Sequence, residues 1–150
     1  MSDLIAVAYV SNAARPMRPR DLEALLIKAR AYNQKVQVSG ALLHHQDMFF
    51  QYLEGPADAI DQVYTRIKNS PDHNNLVELL NQLVEVRHFS RWHMAFTQAP
   101  LTTLQALANE DWNMTLAGWE KVAANPRFQS PGLKMLMTFW DFANPVHPSA

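Results

Sequence analysis

The sequence predicts an α+β fold: a ferredoxin-like βαββαββ order with a five-stranded mixed sheet, two helices on one face and two short C-terminal helices. Three observations carry this. Short apolar segments of period two alternate with two longer segments of period 3.6. The second and third strand segments are separated only by Gln46-Asp47, a hairpin turn. The 150-residue chain is 48% hydrophobic and 18% charged, which suits one domain with its own core.

Taken in order, residues 4–11 form a short apolar strand with Val7, Tyr9 and Ser11 on one face. Residues 12–18 are a polar loop. Pro19 suits a first helical position, where its missing N–H would be unpaired anyway. Leu22, Leu25, Leu26 and Ala29 then keep helical spacing through Tyr32. Residues 36–45 and 48–55 form the hairpin strands. Gly55-Pro56 closes the hairpin and opens a second helix carrying Ile60, Val63, Tyr64 and Ile67. Residues 76–86 fit both periods and are assigned as a strand on context. Residues 92–98 form the fifth strand, with Trp92, Met94 and Phe96 on one face. Beyond Pro100, Thr102 and Gln105 match a capping box. Leu116, Trp119 and Val122 indicate one short helix, and Leu133, Leu136, Met137 and Trp140 another, starting at Ser130-Pro131. Such helices cannot stand alone in water and must pack on the open sheet face or on a partner. Residues 1–98 are therefore read as the domain and residues 99–150 as a helical extension packed on its sheet.

Thirteen basic and fourteen acidic residues give a formal charge of −1, without the positive excess of a nucleic-acid binder. With no cysteine, thiolate catalysis and cysteine-held metals are excluded. No apolar run reaches the ~20 residues that span a bilayer, and no secretion signal is recognisable, so a cytoplasmic protein is expected. His44 and His45 point to opposite strand faces and cannot hold one metal together. There is no glycine-rich phosphate loop, nucleophile elbow or catalytic carboxylate pair.

Polar side chains in apolar places are more informative. Tyr9 and Gln51 lie on strands that are commonly neighbours in such a sheet. They either form a structural hydrogen bond or both address a planar polar ligand. A buried Gln amide without partners would cost ~1–3 kcal/mol. Asn33 falls on the apolar face of the first helix, as a helix stop or a ligand contact. Trp92, Met94 and Phe96 serve as core packing or as an apolar lid. Arg66 flanks the second helix, solvated or salt-bridged.

Together these residues resemble the BLUF family, blue-light sensors that use FAD. The resemblance rests on Tyr9-Val10-Ser11, Asn33, Ser39-Gly40-Ala41-Leu42-Leu43, Phe50-Gln51-Tyr52-Leu53-Glu54-Gly55 and Arg87-His88-Phe89-Ser90-Arg91-Trp92-His93-Met94. It implies a flavin ring between the two helices, against the sheet. Tyr9 would donate an electron and a proton, and Gln51 would bridge Tyr9 and the flavin N5/O4 edge. Asn33 would hold the polar edge of the ring, Arg66 would lie near the tail, and Ser11 would support Tyr9. His73 falls at the family's histidine position and joins the cofactor-binding set. Met94 and Trp92 would sit near Gln51 and relay its state to the fifth strand. The chain departs from the family at Tyr32, at Gln37 (usually glycine), and at Ser70 and Asp72, where an acid and a base are usual. The last two face the tail, so FMN or riboflavin stand beside FAD as cofactors. The resemblance implies no enzyme. The expected partners are a downstream effector protein in trans and further copies of the chain, with neither nucleic acid nor membrane. The same fold without photochemistry, a small flavin oxidoreductase and an acylphosphatase-like hydrolase are the alternatives.

Overall fold

A computed structural model of the chain describes residues 3–90, 92–113 and 130–143. The elements are β1 (Leu4–Ala13), α1 (Pro19–Val36), β2 (Ser39–His45), β3 (Met48–Pro56), α2 (Ala57–Lys68), β4 (His73–Val84), β5 (Ala95–Gln98), α3 (Leu101–Ala108) and α4 (Pro131–Ala143). The strands lie in the order β4-β1-β3-β2-β5. The β2–β5 pair is parallel and the others are antiparallel.

Both faces of the central strands are buried, which explains their nearly unbroken apolar runs. Val7, Tyr9, Leu42, Phe49 and Leu53 meet Leu22 and Leu26 of α1 and Ile60 and Val63 of α2. Ala6, Ala8, Leu43, Phe50 and Tyr52 face the other way, onto Leu104 and Leu107 of α3 and Leu133, Leu136 and Trp140 of α4. Two glycines permit close approaches. A Cβ at Gly40 would stand 1.9 Å from the Tyr52 carbonyl oxygen, and one at Gly132 would stand 2.5 Å from the Trp112 ring. β2 can therefore lie against β3 at Gly40, and α4 can lie flat on the indole.

Several boundaries differ from the sequence reading. The first helix runs one turn past Tyr32, to Val36, and ends at Gln37 in the left-handed region at φ 63°. The Val38 N–H closes the end on the Asn33 carbonyl at 2.8 Å. Asn33 is thus interior to the helix, not its stop; the usual glycine signal is absent. β4 begins at His73 rather than residue 76, through polar residues and a positive φ of 53° at Asn75. β5 begins at Ala95 rather than residue 92. The preceding residues form turns, so period two does not extend to Trp92. α3 starts on Pro100, with no side-chain cap. Thr102 already lies in its first turn, and the capping box is not formed. The helix expected at Leu116, Trp119 and Val122 lies outside the described residues. No helix among the described residues is long and apolar enough to cross a membrane.

Candidate functional site

The two helices and the sheet enclose a cavity of about 250 Å³. Leu25 and Ala29 of α1 form one wall, Val63 and Ile67 of α2 the other, and Leu42 and Phe49 the floor. Tyr9, Asn33 and Gln51 supply the polar groups, and the exposed Lys28 and Arg66 also line it.

Register brings the central pair together. Tyr9 and Gln51 are cross-strand partners on β1 and β3, and both are buried. The Tyr9 hydroxyl donates to Gln51 Oε1. Gln51 Nε2 donates to the Met94 thioether sulfur at 3.3 Å. A primary amide has two N–H groups and two acceptor lone pairs. One donor and one acceptor position of Gln51 therefore remain for a ligand at the cavity edge. Burial pushes the Tyr9 phenol far above its ordinary value, with Tyr64 adding to the shift, so the group is a neutral phenol. Its ring lies 6.0 Å from that of Tyr64, at 28°.

Ser11 does not line the cavity; it acts through His73, which does. His73 Nε2 lies 2.7 Å from the Ile67 carbonyl, which can only accept, so Nε2 carries the proton. In neutral His73, Nδ1 then accepts from the Ser11 hydroxyl at 2.9 Å. Asn33 is buried and donates through Nδ2 to the His93 carbonyl at 2.8 Å. The Arg66 guanidinium lies 4.0 Å above the Tyr32 ring. Ser70 and Asp72 both line the cavity, and Asp72 is paired with Arg15 at 3.3 Å.

Trp92 and Met94 do not share a face. Met94 packs with the helix α1–α2 side, against Gln51. Trp92 packs on the other side, where its ring meets Trp140 of α4 at 6.0 Å and 69°. The expectation that Trp92 sits near Gln51 is corrected for the reason given above: the turns before Ala95 break the alternation. Lys28 was missed from the sequence. Its signal is the spacing of four that stacks it under Tyr32 on one helix face. Arg30, also missed, donates to the Met94 carbonyl at 2.9 Å.

The cavity fits a flat heteroaromatic ring. It is an apolar slot with an amide-bearing polar edge, and two cations stand ready for an anionic tail. Comparison with known proteins agrees. The family model described as "Sensors of blue-light using FAD" matches residues 4–95. The chain is 32% identical over 126 residues to the photoactivated adenylate cyclase subunit beta of Euglena gracilis, covering 84% of this chain and 12% of the relative. It is 32% identical over 88 residues to the blue light- and temperature-regulated antirepressor BluF of Escherichia coli strain K12, covering 59% of this chain and 22% of that protein. The chain thus spans only a minor part of these curated relatives. The dark-state structure of BlrB, a BLUF protein, superposes with a TM-score of 0.67 at 22% identity, covering 93% of this chain and 98% of that one. The fold, the slot and the family match converge: the chain belongs to the BLUF family of FAD-using blue-light sensors.

Proposed function

We propose that residues 1–98 form a blue-light sensor in which Tyr9 and Gln51 are the photochemical pair, and that residues 99–150 carry its output. The observation that supports this best is the continuous chain from the Tyr9 hydroxyl through the Gln51 amide to the Met94 sulfur. When bound, the flavin supplies blue-light absorption and accepts one electron. Tyr9 would give up that electron together with its phenolic proton, for which the hydrogen bond to Gln51 Oε1 is the exit path toward the ring, and both would return to Tyr9 at the end of the cycle. The Gln51 amide has a donor end and an acceptor end, so reversing or tautomerising it changes what it offers to the ring and to Met94. In a dry site such an exchange is strongly felt by its neighbours.

Asn33 orients the ring's polar edge, and Ser11 and His73 hold the wall beside Tyr9. Lys28 and Arg66 stand where an anionic tail would leave the slot, which suits FAD. The Arg15 pairing moderates the repulsion that Asp72 would exert on a phosphate. The signal leaves through Met94 and Trp92 to α4. It acts in trans on an effector protein or by changing self-association, in the cytoplasm. The relatives named as a photoactivated adenylate cyclase subunit and as a blue light- and temperature-regulated antirepressor are consistent with a light-controlled output. The test is an absorption spectrum of the FAD-loaded protein before and just after blue light. A red shift that recovers in the dark is expected. Bound flavin without a shift overturns the photochemical assignment.

A further inference from the structure

The described residues between β4 and β5 have little regular structure, yet Arg87, His88, Phe89, Trp92, His93 and Met94 are each tied down by hydrogen bonds. Arg87 Nη1 donates to Ser39 Oγ at 2.8 Å, and Nη2 donates to the Gln37 carbonyl at 2.7 Å. The Gly40 N–H reaches the Trp92 carbonyl at 2.8 Å, and Asn33 and Arg30 hold the carbonyls of His93 and Met94. The least ordinary of these ties is Glu54. Its side chain is fully buried. Its carboxylate accepts the His88 N–H at 2.7 Å and the Phe89 N–H at 2.9 Å. Burying a carboxylate is costly unless charge-assisted hydrogen bonds compensate. Nothing in the Tyr9–Gln51 chemistry uses this group.

Glu54 and Gln51 stand three residues apart on β3, and their side chains leave opposite faces of the sheet. Gln51 holds the segment at Met94, on the cavity side. Glu54 holds it at His88 and Phe89, on the side of α3 and α4. Trp92 lies between these two grips, resting on Trp140. We propose that Glu54 is a positioning residue for signal output: the fixed pivot that makes a displacement at Met94 appear as a displacement of Trp92. This rests on the reading that Met94 and Trp92 carry the signal. With residues 88 and 89 held, a change at Met94 is confined to the stretch containing Trp92. Without that grip the stretch relaxes at its near end, and Trp92 stays on Trp140.

Burial pushes the Glu54 carboxyl up to about 7, against the opposing pull of the His88 and Phe89 amides and of Arg87. The groups around it are Arg87, His88, Tyr52 on its own strand, Ser39 across β2 and Ala6 across β1. Opening the segment returns the carboxyl to water, where it releases its proton more readily. Opening is therefore easier above about pH 7 than below it.

The experiment uses the full FAD-loaded chain, wild type, Glu54→Ala and Glu54→Gln, with amide hydrogen exchange in the dark and under blue light. In Glu54→Ala, exchange at His88 and Phe89 should rise about tenfold or more, as expected when charge-assisted hydrogen bonds are lost. The light-induced absorption shift should persist, while the light-induced exchange change at Trp92 and α4 should fall severalfold. Glu54→Gln keeps one acceptor oxygen but sets an N–H group against an N–H group, so it should be intermediate. If both variants fail to fold, the wild type decides: protection of His88 and Phe89, corrected for base catalysis, should drop between about pH 6 and about pH 8. Unchanged exchange at His88 and Phe89, or a full light response at Trp92 in Glu54→Ala, overturns the pivot. A wild-type protein that shows no light shift sinks the photochemical reading instead, and the dark exchange still reports whether Glu54 grips the segment.

Discussion

Trp92 meets Trp140 edge-on at 6.0 Å, on the face of the sheet opposite the one where Met94 meets Gln51. Met94 and Trp92, separated by one position, thus touch Gln51 at the cavity edge and Trp140 of α4 respectively. A stretch that crosses from one face to the other links the two halves of the protein without a long lever.

Trp92→Phe is expected to leave the flavin absorption shift intact. It should remove most of the light-dependent change in tryptophan emission, and a smaller ring against Trp140 should cost about 1–2 kcal/mol of stability. Emission and absorption recorded on the same sample check this. An unchanged emission response would place the output elsewhere.

Tyr9→Phe and Gln51→Ala should both still bind flavin. Each removes one hydrogen-bonding group from the slot, so affinity should change by no more than about tenfold. Both should lose the reversible red shift altogether. Difference spectroscopy after a blue pulse settles the matter: a variant that cycles like the wild type has no such role.

Gln37 holds φ at 63° with an exposed side chain, and the neighbouring contact to Arg87 is made by its carbonyl rather than its side chain. Replacing it by glycine relieves the left-handed strain while keeping that carbonyl in place. Gln37→Gly should raise unfolding stability by up to about 1 kcal/mol, part of the gain being returned through the freer unfolded chain. Urea denaturation followed by circular dichroism measures it, and a loss of stability would contradict the account.

Glu54 also makes stability depend on pH. Its folded value of about 7 lies above its ordinary 4.5, so between these the folded state holds more of the proton. The contribution is fully present below about pH 4.5 and is lost as pH rises through about 7. The stability difference between wild type and Glu54→Gln should therefore shift against the wild type across that window, by a few kcal/mol. A difference flat in pH would show that Glu54 keeps its solution value. Half-buried Asp21, whose carboxyl is held low by hydrogen bonds from Arg18, pulls the other way at more acid pH and is common to both proteins.

The sequence made the sheet and its hairpin legible because β1, β2 and β3 are short, nearly unbroken apolar runs, and only Gln46-Asp47 separates the last two. The Tyr9–Gln51 juxtaposition was legible for the same reason: two hydrogen-bonding side chains stood inside apolar strands. The end of α1 was not, because glutamine occupies a position where glycine would have announced the left-handed turn. The start of β4 was hidden by His73, Asn74 and Asn75, whose composition is that of a loop. Trp92 was assigned to the wrong face because aromatic and apolar residues alternate through 92–96 while the backbone turns. Glu54, beside Gly55-Pro56, has the local character of an exposed strand end. Only the tertiary placement of residues 88 and 89 makes it internal.

The protonated Tyr9 has a consequence for what the protein can sense. Burial keeps that phenol neutral across the whole range in which a cell operates. The step that detects light should thus be indifferent to acidity. The carboxyl on the far side of the sheet changes charge within that range. Detection and transmission therefore have separate chemical sensitivities: the same number of absorbed photons would deliver a different output in acidified and in neutral surroundings, with no change in the colour of the protein.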